Sequence, residues 1–237
     1  MDLRFVTLGP LRLEAYGVCF SMACLVAWLV FRRELRRGGL ASGWSTLAVW
    51  VCVPAGVLGA RAVASVPGLV TGESTVLGGW AAGITLLALF VRVAGVSVRR
   101  VLDALAPGLC LAQAIGRLGC FCAGHCYGVS TMAPWGVTYP RGAPPVHEPV
   151  HPVPLYAALV LAVAGALALR WRPERSGLRA AAVGGFLLLQ RAGFDALRPE
   201  PRHGGLTLGQ WLAVAAAAFM LTVVAANRAR ISRLGRG

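Results

Sequence analysis

Apolar runs of bilayer length, with arginine clusters after every second one, constrain this chain more than any other feature. A helix needs roughly 17 to 25 predominantly apolar residues to cross the hydrocarbon core of a bilayer. Seven such stretches occur, near 14–31, 43–60, 76–91, 101–116, 154–169, 180–197 and 207–226. The fourth and sixth are the least clean, because the fourth contains Asp103 and the sixth contains Gln190, Arg191 and Asp195. The composition agrees with spans: 57% of residues are hydrophobic and 14% charged, where a soluble domain carries about a quarter charged residues. The expected fold is all-α, an integral membrane protein with about seven transmembrane helices in one domain over residues 1–237.

The arginines set the expected orientation. The net charge is +14 and the sequence contains no lysine. Arg32, Arg33, Arg36 and Arg37 follow the first span, Arg92, Arg99 and Arg100 the third, and Arg170, Arg172, Arg175 and Arg179 the fifth; Arg228, Arg230, Arg233 and Arg236 form a basic tail over 227–237. With seven spans all fifteen fall on one side, which the positive-inside rule makes cytoplasmic, so the N-terminus is expected outside and the C-terminus inside. No basic, aromatic-studded soluble segment exists to carry nucleic acid. The first run, AYGVCFSMACLVAWLVF, carries its positive charge after the apolar core and reads as a retained span, not a cleaved signal.

Eight arginines remain on the outer side or in the membrane: Arg4, Arg12, Arg61, Arg117, Arg141, Arg191, Arg198 and Arg202. Charge bias gives them no role there. The outer segment of about 117–153, with its APPVHEPVHPVP stretch, reads as a lid or re-entrant loop more than as a linker.

An ionisable side chain at mid-membrane costs roughly 2.5 to 3.5 kcal/mol on insertion scales and needs a polar interior and a partner. Arg191 and Asp195 are four residues apart on one helical face, where they can pair. That pair is either a structural lock between helices or a cation oriented by Asp195 for a lipid head group. Arg117 and Arg61 each end a span and are either snorkelling residues or anion ligands. The glycines around Arg117 in GRLGCFCAGHCYG (residues 116–128) favour a ligand site, since they let backbone approach closely. In the same segment Cys120, Cys122, His125 and Cys126 are soft ligands in one compact cluster, a weak zinc signal because zinc ligands usually come in pairs from separated segments. A disulfide is the second reading and apolar packing the default. His147, His151 and His203 lie in loops.

Six stretches, in order, resemble the prolipoprotein diacylglyceryl transferase family nearly end to end. LGPLRLEAYGVCF is similar to the family's opening, and GVLGARAVASV to its GGR stretch. GRLGCFCAGHCYG resembles the signature GRlGNFiNgElyG, and HPVPLYAAL resembles HPtQLYE. LQRAGFDALR is similar to the sixth-span RF…EffR pattern, and LTLGQWLAV to the closing segment.

The resemblance implies an enzyme of the bacterial cytoplasmic (inner) membrane. It would transfer the diacylglyceryl group of phosphatidylglycerol to the lipobox cysteine of a preprolipoprotein, leaving a thioether and glycerol phosphate. No cofactor or metal is implied. Carried over by position, Arg117, Arg191, Asp195 and His125 are the candidate catalytic residues. Tyr16, Arg61, Gly78, Gly79, Gly128 and His151, with Arg117, are the candidate substrate-binding ones. Asp195 stands for a family glutamate, Cys120 and Ala123 for two asparagines, His125 for a glutamate, and Leu77 for a histidine proposed as catalytic. These departures imply a divergent member. The alternative is a relative whose activity is altered or lost, a lipid-binding protein or a transferase with another acceptor. A thiol is already partly ionised at neutral pH and nearby arginines raise that fraction, so the larger need is stabilising the leaving phosphate. His125 serves as base if its ring points inward.

Overall fold

A computed structural model describes residues 5–8, 11–40, 43–65, 72–198, 204–207, 210–211 and 214–215. Six helices occur among them: α1 (Ala15–Arg37), α2 (Gly43–Ala64), α3 (Gly72–Val93), α4 (Val98–Ala123), α5 (Val153–Arg170) and α6 (Leu178–Asp195). Each covers one of the first six apolar runs. Most of the seventh run, near 207–226, and the tail at 227–237 lie outside the described residues. So do Arg4, Arg202 and His203. Of the six helices, α1, α4 and α5 are long and apolar enough to cross a membrane.

The chain is not purely helical. Strands β1 (Phe5–Leu8) and β2 (Leu11–Glu14) form an antiparallel hairpin that leads into α1, and β3 (Val137–Tyr139) pairs antiparallel with β4 (Val146–Val150). Hydropathy scanning misses both because each strand has only three to five residues, and their backbone groups are satisfied by a partner strand rather than along a helix.

Helix α4 is the centre of the bundle and packs against α1, α5 and α6, while α2 and α3 form a second pair. Small residues allow the close approaches. A Cβ on Gly108 of α4 would sit 3.1 Å from the Ala27 carbonyl of α1, and one on Gly165 of α5 would sit 2.7 Å from Leu111 of α4. Gly56 and Gly79 meet in the same way between α2 and α3, where added Cβ atoms would lie 3.3 and 2.9 Å from the facing carbonyls. Phe31, Leu35, Val91, Val101 and Ala104 close the core where α1 and α3 end and α4 begins. Outward-facing leucines remain uncovered: Leu159, Leu167 and Leu189 are 68%, 59% and 72% exposed. Hydrocarbon is the solvent that suits such a surface.

Two acidic residues, Asp103 and Glu34, are satisfied at that same end. The Asp103 carboxylate, which made the fourth run look unclean, accepts hydrogen bonds from the backbone N–H groups of Gly177 and Ala180 (the latter at 2.8 Å). It caps α6 from a neighbouring helix, a favourable place for a negative charge. Glu34, buried, receives Arg179 at 2.9 Å, Arg172 at 3.2 Å and Arg37 at 3.7 Å. The arginine-rich ends of α1 and α5 and the start of α6 are thereby gathered at one end of the bundle.

Candidate active site

The opposite end, where α4 and α6 finish and α1 begins, collects most of the candidate residues. Helix α4 stops because Gly124 adopts the left-handed conformation at φ 67°, and the Gly124 and His125 N–H groups bond back to the Phe121 and Cys120 carbonyls. This is a helix-ending turn that a glycine makes cheaply. The chain folds back on the helix end, and Cys126 also takes positive φ, at 62°. A non-glycine residue there carries strain that the surrounding contacts must hold.

The segment beyond is pinned to the residues just after α6 and to the second hairpin. Gly128 N–H donates to the His151 carbonyl at 2.8 Å, and Val129 N–H donates to the Leu197 carbonyl at 2.9 Å. A Cβ on Gly128 would lie 2.8 Å from the Leu197 oxygen, 2.8 Å from Val153 and 3.0 Å from His151, so only glycine fits. Tyr139 of β3 stacks on Tyr127 (5.5 Å between ring centroids) and meets Phe121 edge-on at 5.9 Å. Burial pushes its phenol up to about 12. Residues 117–153 therefore comprise the last turns of α4, a folded-back turn and a docked hairpin. Hydrogen bonds and stacked aromatics hold this segment against the helix end.

Two guanidiniums meet here on one buried carboxylate. Asp195 is 1% exposed. It accepts from Arg191 Nε at 3.0 Å, from Arg198 at 3.5 Å and from the Thr207 hydroxyl at 3.5 Å. The Arg191–Asp195 pair expected from spacing is thus formed, and Arg198 joins it. Gln210 supports Thr207: its Oε1 accepts from the Thr207 N–H at 3.0 Å, and its Nε2 donates to the Ala192 carbonyl at 3.3 Å. Arg198 and Arg117 both lie within electrostatic reach of Cys120, and Arg117 also of Tyr16. Two of these arginines thus meet on Asp195, and Arg117 shares the Cys120 neighbourhood with Arg198.

Tyr16 begins α1 beside this group. Gly119 makes room for it, since a Cβ there would come within 3.3 Å of the Tyr16 ring. The Tyr16 and His125 rings are 5.5 Å apart, and His125 Nδ1 lies 3.1 Å from Cys126 Sγ. The Cys126 thiol is held well below its ordinary range, chiefly by the hydrogen bond from Cys120 and further by His125 and Arg198. Cys120, His125 and Cys126 present one ligand atom each, all within 4.8 Å of one another. Beneath them an apolar groove of about 420 Å³ runs between α1, α4 and α5, with Leu118 and Ile115 in its wall.

Other expected residues stand differently. The His151 ring bonds the Tyr156 hydroxyl at 3.3 Å, and its backbone bonds Gly128 and Val129, so it shapes the loop. Arg61 is exposed in the last turn of α2, where its carbonyl accepts from Ser65. Gly79 packs α3 against α2, and Leu77 and Gly78 belong to α3. Sequence reading missed Arg198, Thr207 and Gln210 as members of the network. Arg198 had a local signal, lying three residues after Asp195 on the same face.

Comparison with known proteins covers nearly the whole chain. The family model described as prolipoprotein diacylglyceryl transferase matches residues 4–226. The chain is 32% identical over 243 residues to the phosphatidylglycerol–prolipoprotein diacylglyceryl transferase of Streptomyces griseus subsp. griseus, covering 92% of this chain and 73% of that protein. It is 32% identical over 254 residues to the phosphatidylglycerol–prolipoprotein diacylglyceryl transferase 2 of Streptomyces coelicolor, covering 93% and 78%. A shorter match, 36% identical over 152 residues, covers 55% of this chain and 31% of the Mycobacterium bovis enzyme of the same name.

Proposed function

The chain belongs to the prolipoprotein diacylglyceryl transferase family, and we propose that the arginine cluster at the end of α4 and α6 is where it carries out that transfer. It is a membrane transferase: the diacylglyceryl group of phosphatidylglycerol passes to the lipobox cysteine of a preprolipoprotein. The acceptor sulfur attacks the glyceryl carbon, a C–S bond forms, and the C–O bond breaks with its electron pair leaving on glycerol phosphate. The principal demand is to stabilise charge on the departing phosphate, which preorganised guanidiniums meet without rearrangement. Arg117, Arg191 and Arg198 take that role, with Asp195 fixing the two arginines it pairs with.

The observation that carries this reading is the convergence of Arg191 and Arg198 on buried Asp195, with Arg117 and Arg198 both beside Cys120 at the end of α4. Guanidinium forks suit phosphate. The apolar groove between α1, α4 and α5 offers an acyl chain a place beside the head group. Tyr16 and Gly128 border the cluster, and the roles of Arg61, Gly78 and Gly79 in binding the head group rest on the family resemblance alone. His151 holds the loop. Removal of the acceptor thiol's proton falls to the corner made by His125, Cys120 and Cys126.

Seven spans, with the N-terminus outside and the C-terminus cytoplasmic in the bacterial inner membrane, fit the gathering of the arginine-rich helix ends opposite this site. A second reading, a relative with another acceptor or a lost reaction, is favoured by Leu77 at the position of the family histidine. The test is expression in cells depleted of their own diacylglyceryl transferase, with a reporter lipoprotein followed by gel shift and mass spectrometry. A diacylglyceryl-modified cysteine that depends on Arg117 is the expected result. An unmodified reporter alongside folded, inserted protein would favour the second reading.

A further inference from the structure

Cys120, His125 and Cys126 form a second chemical group inside the site, and the phosphate-binding role uses none of them. We propose that they hold a zinc ion whose open fourth position takes the acceptor cysteine as a thiolate. The proposal rests on the transferase reading for the identity of that fourth ligand, and on geometry for the other three.

The three ligand atoms come from the last turn of α4 and from the turn that reverses the chain, and all lie within 4.8 Å of one another. In a tetrahedral zinc site, ligands at 2.0 to 2.3 Å stand about 3.3 to 3.8 Å apart, a contraction within reach of side-chain rotation. Two thiolates and an imidazole suit zinc. The strained backbone at Cys126, φ 62°, turns this side chain toward the Cys120 thiol and the His125 ring. Cys122, two residues from Cys120, faces elsewhere, within electrostatic reach of Cys19 and Tyr139. The group therefore numbers three among the described residues, and three protein ligands with one open position is the pattern of a zinc that works on a substrate.

Charge favours the arrangement as well. A zinc dication with two thiolates is neutral, so filling the cluster adds no net charge beside the neighbouring arginines. The acceptor thiol loses its proton to water on coordination and remains a nucleophile at neutral pH. Its sulfur lone pair then forms the C–S bond as the C–O pair departs on glycerol phosphate. The product thioether, a weak ligand, leaves the ion, and the metal stays divalent throughout. In this scheme His125 acts as a ligand instead of as the proton acceptor.

The test uses the full chain in detergent or nanodiscs, titrated with cobalt(II) as a coloured stand-in for zinc. Expected are one cobalt per chain and a thiolate-to-cobalt absorption band. Cys120→Ser and Cys126→Ser should each weaken binding roughly tenfold or more, since even outer-shell changes cost that much, while Cys122→Ser binds as wild type. Adding a short lipobox peptide should strengthen the band, and its cysteine-to-serine version should not. This arm works in wild-type protein and does not depend on how the variants fold. Folded wild type with no band, or a band that survives in both the Cys120 and Cys126 variants, overturns the proposal. Reporter lipidation by chelator-treated wild type that binds no cobalt removes the zinc and leaves the transferase reading intact. Cysteine-bound cobalt in a protein that modifies no reporter and ignores the peptide sustains the metal centre and removes the acceptor's role.

Discussion

Replacing Asp195 tests whether charge or shape organises the arginines. The carboxylate is 1% exposed and pairs with Arg191, whose side chain is 29% exposed, and with Arg198, whose side chain is 12% exposed. Removing one partner of a buried ion pair costs about 3 to 5 kcal/mol, because the other charge is left uncompensated. Arg191 retains access to solvent or head groups, so Asp195→Ala belongs at the low end, about 3 kcal/mol. By the usual scaling for a chain of this length, that lowers the thermal midpoint by roughly 6 to 12 °C. The informative assay compares two gentler variants in reporter lipidation over a range of phosphatidylglycerol. Asp195→Asn keeps the shape but loses the charge and turns an N–H toward Arg191 or Arg198. Asp195→Glu keeps the charge and adds one methylene to a tight site, an overpacking cost of about 1 to 3 kcal/mol. If charge organises the site, Glu retains more activity than Asn, and Asn raises the KM for phosphatidylglycerol. The reverse order, or an unchanged midpoint and KM in Asp195→Ala, would refute the reasoning.

Arg117→Ala should abolish turnover and weaken phosphatidylglycerol binding, whereas Cys122→Ser should leave both nearly unchanged; equal losses would sink the division of roles. Gly128→Ala drives a methyl into the Leu197 carbonyl at 2.8 Å. It should cost about 1 to 3 kcal/mol and lower kcat by displacing the adjacent Arg198, read in a thermal melt paired with lipidation kinetics. Asp103→Ala removes the cap of α6 at the opposite end of the bundle. It should lower stability by about 1 kcal/mol with KM unchanged, and a large KM effect would show that the two ends are coupled.

Much of this architecture was legible because hydrocarbon imposes a simple rule: a span must satisfy its backbone internally, so helices announce themselves as long apolar runs. The pairing of Arg191 with Asp195 was legible for the same reason, since a charge in a span needs a partner and four residues is one helical turn. The hairpins were hidden, because three to five residues carry too little pattern. Asp103 looked like a flaw in its span; its purpose is long-range, capping a helix 77 residues away. The Cys120–His125–Cys126 grouping depends on two positive-φ turns at Gly124 and Cys126, which spacing along an ideal helix places wrongly. Arg198 reads in sequence as one of eight arginines on the outer side or in the membrane, and only the three-dimensional end of α6 ties it to Asp195.

The Glu34 cluster has a consequence for assembly in time. Arg172 and Arg179 lie 138 and 145 residues further along the chain. At about 5 to 20 residues per second, the ribosome delivers them on the order of ten seconds or more after Glu34. Until then Arg37, three residues away, is the partner at hand, and the end of α1 stays near the water interface. Sealing that end awaits α5 and the start of α6. The cluster thus ties the sealing of that end of the bundle to residues made late in the chain.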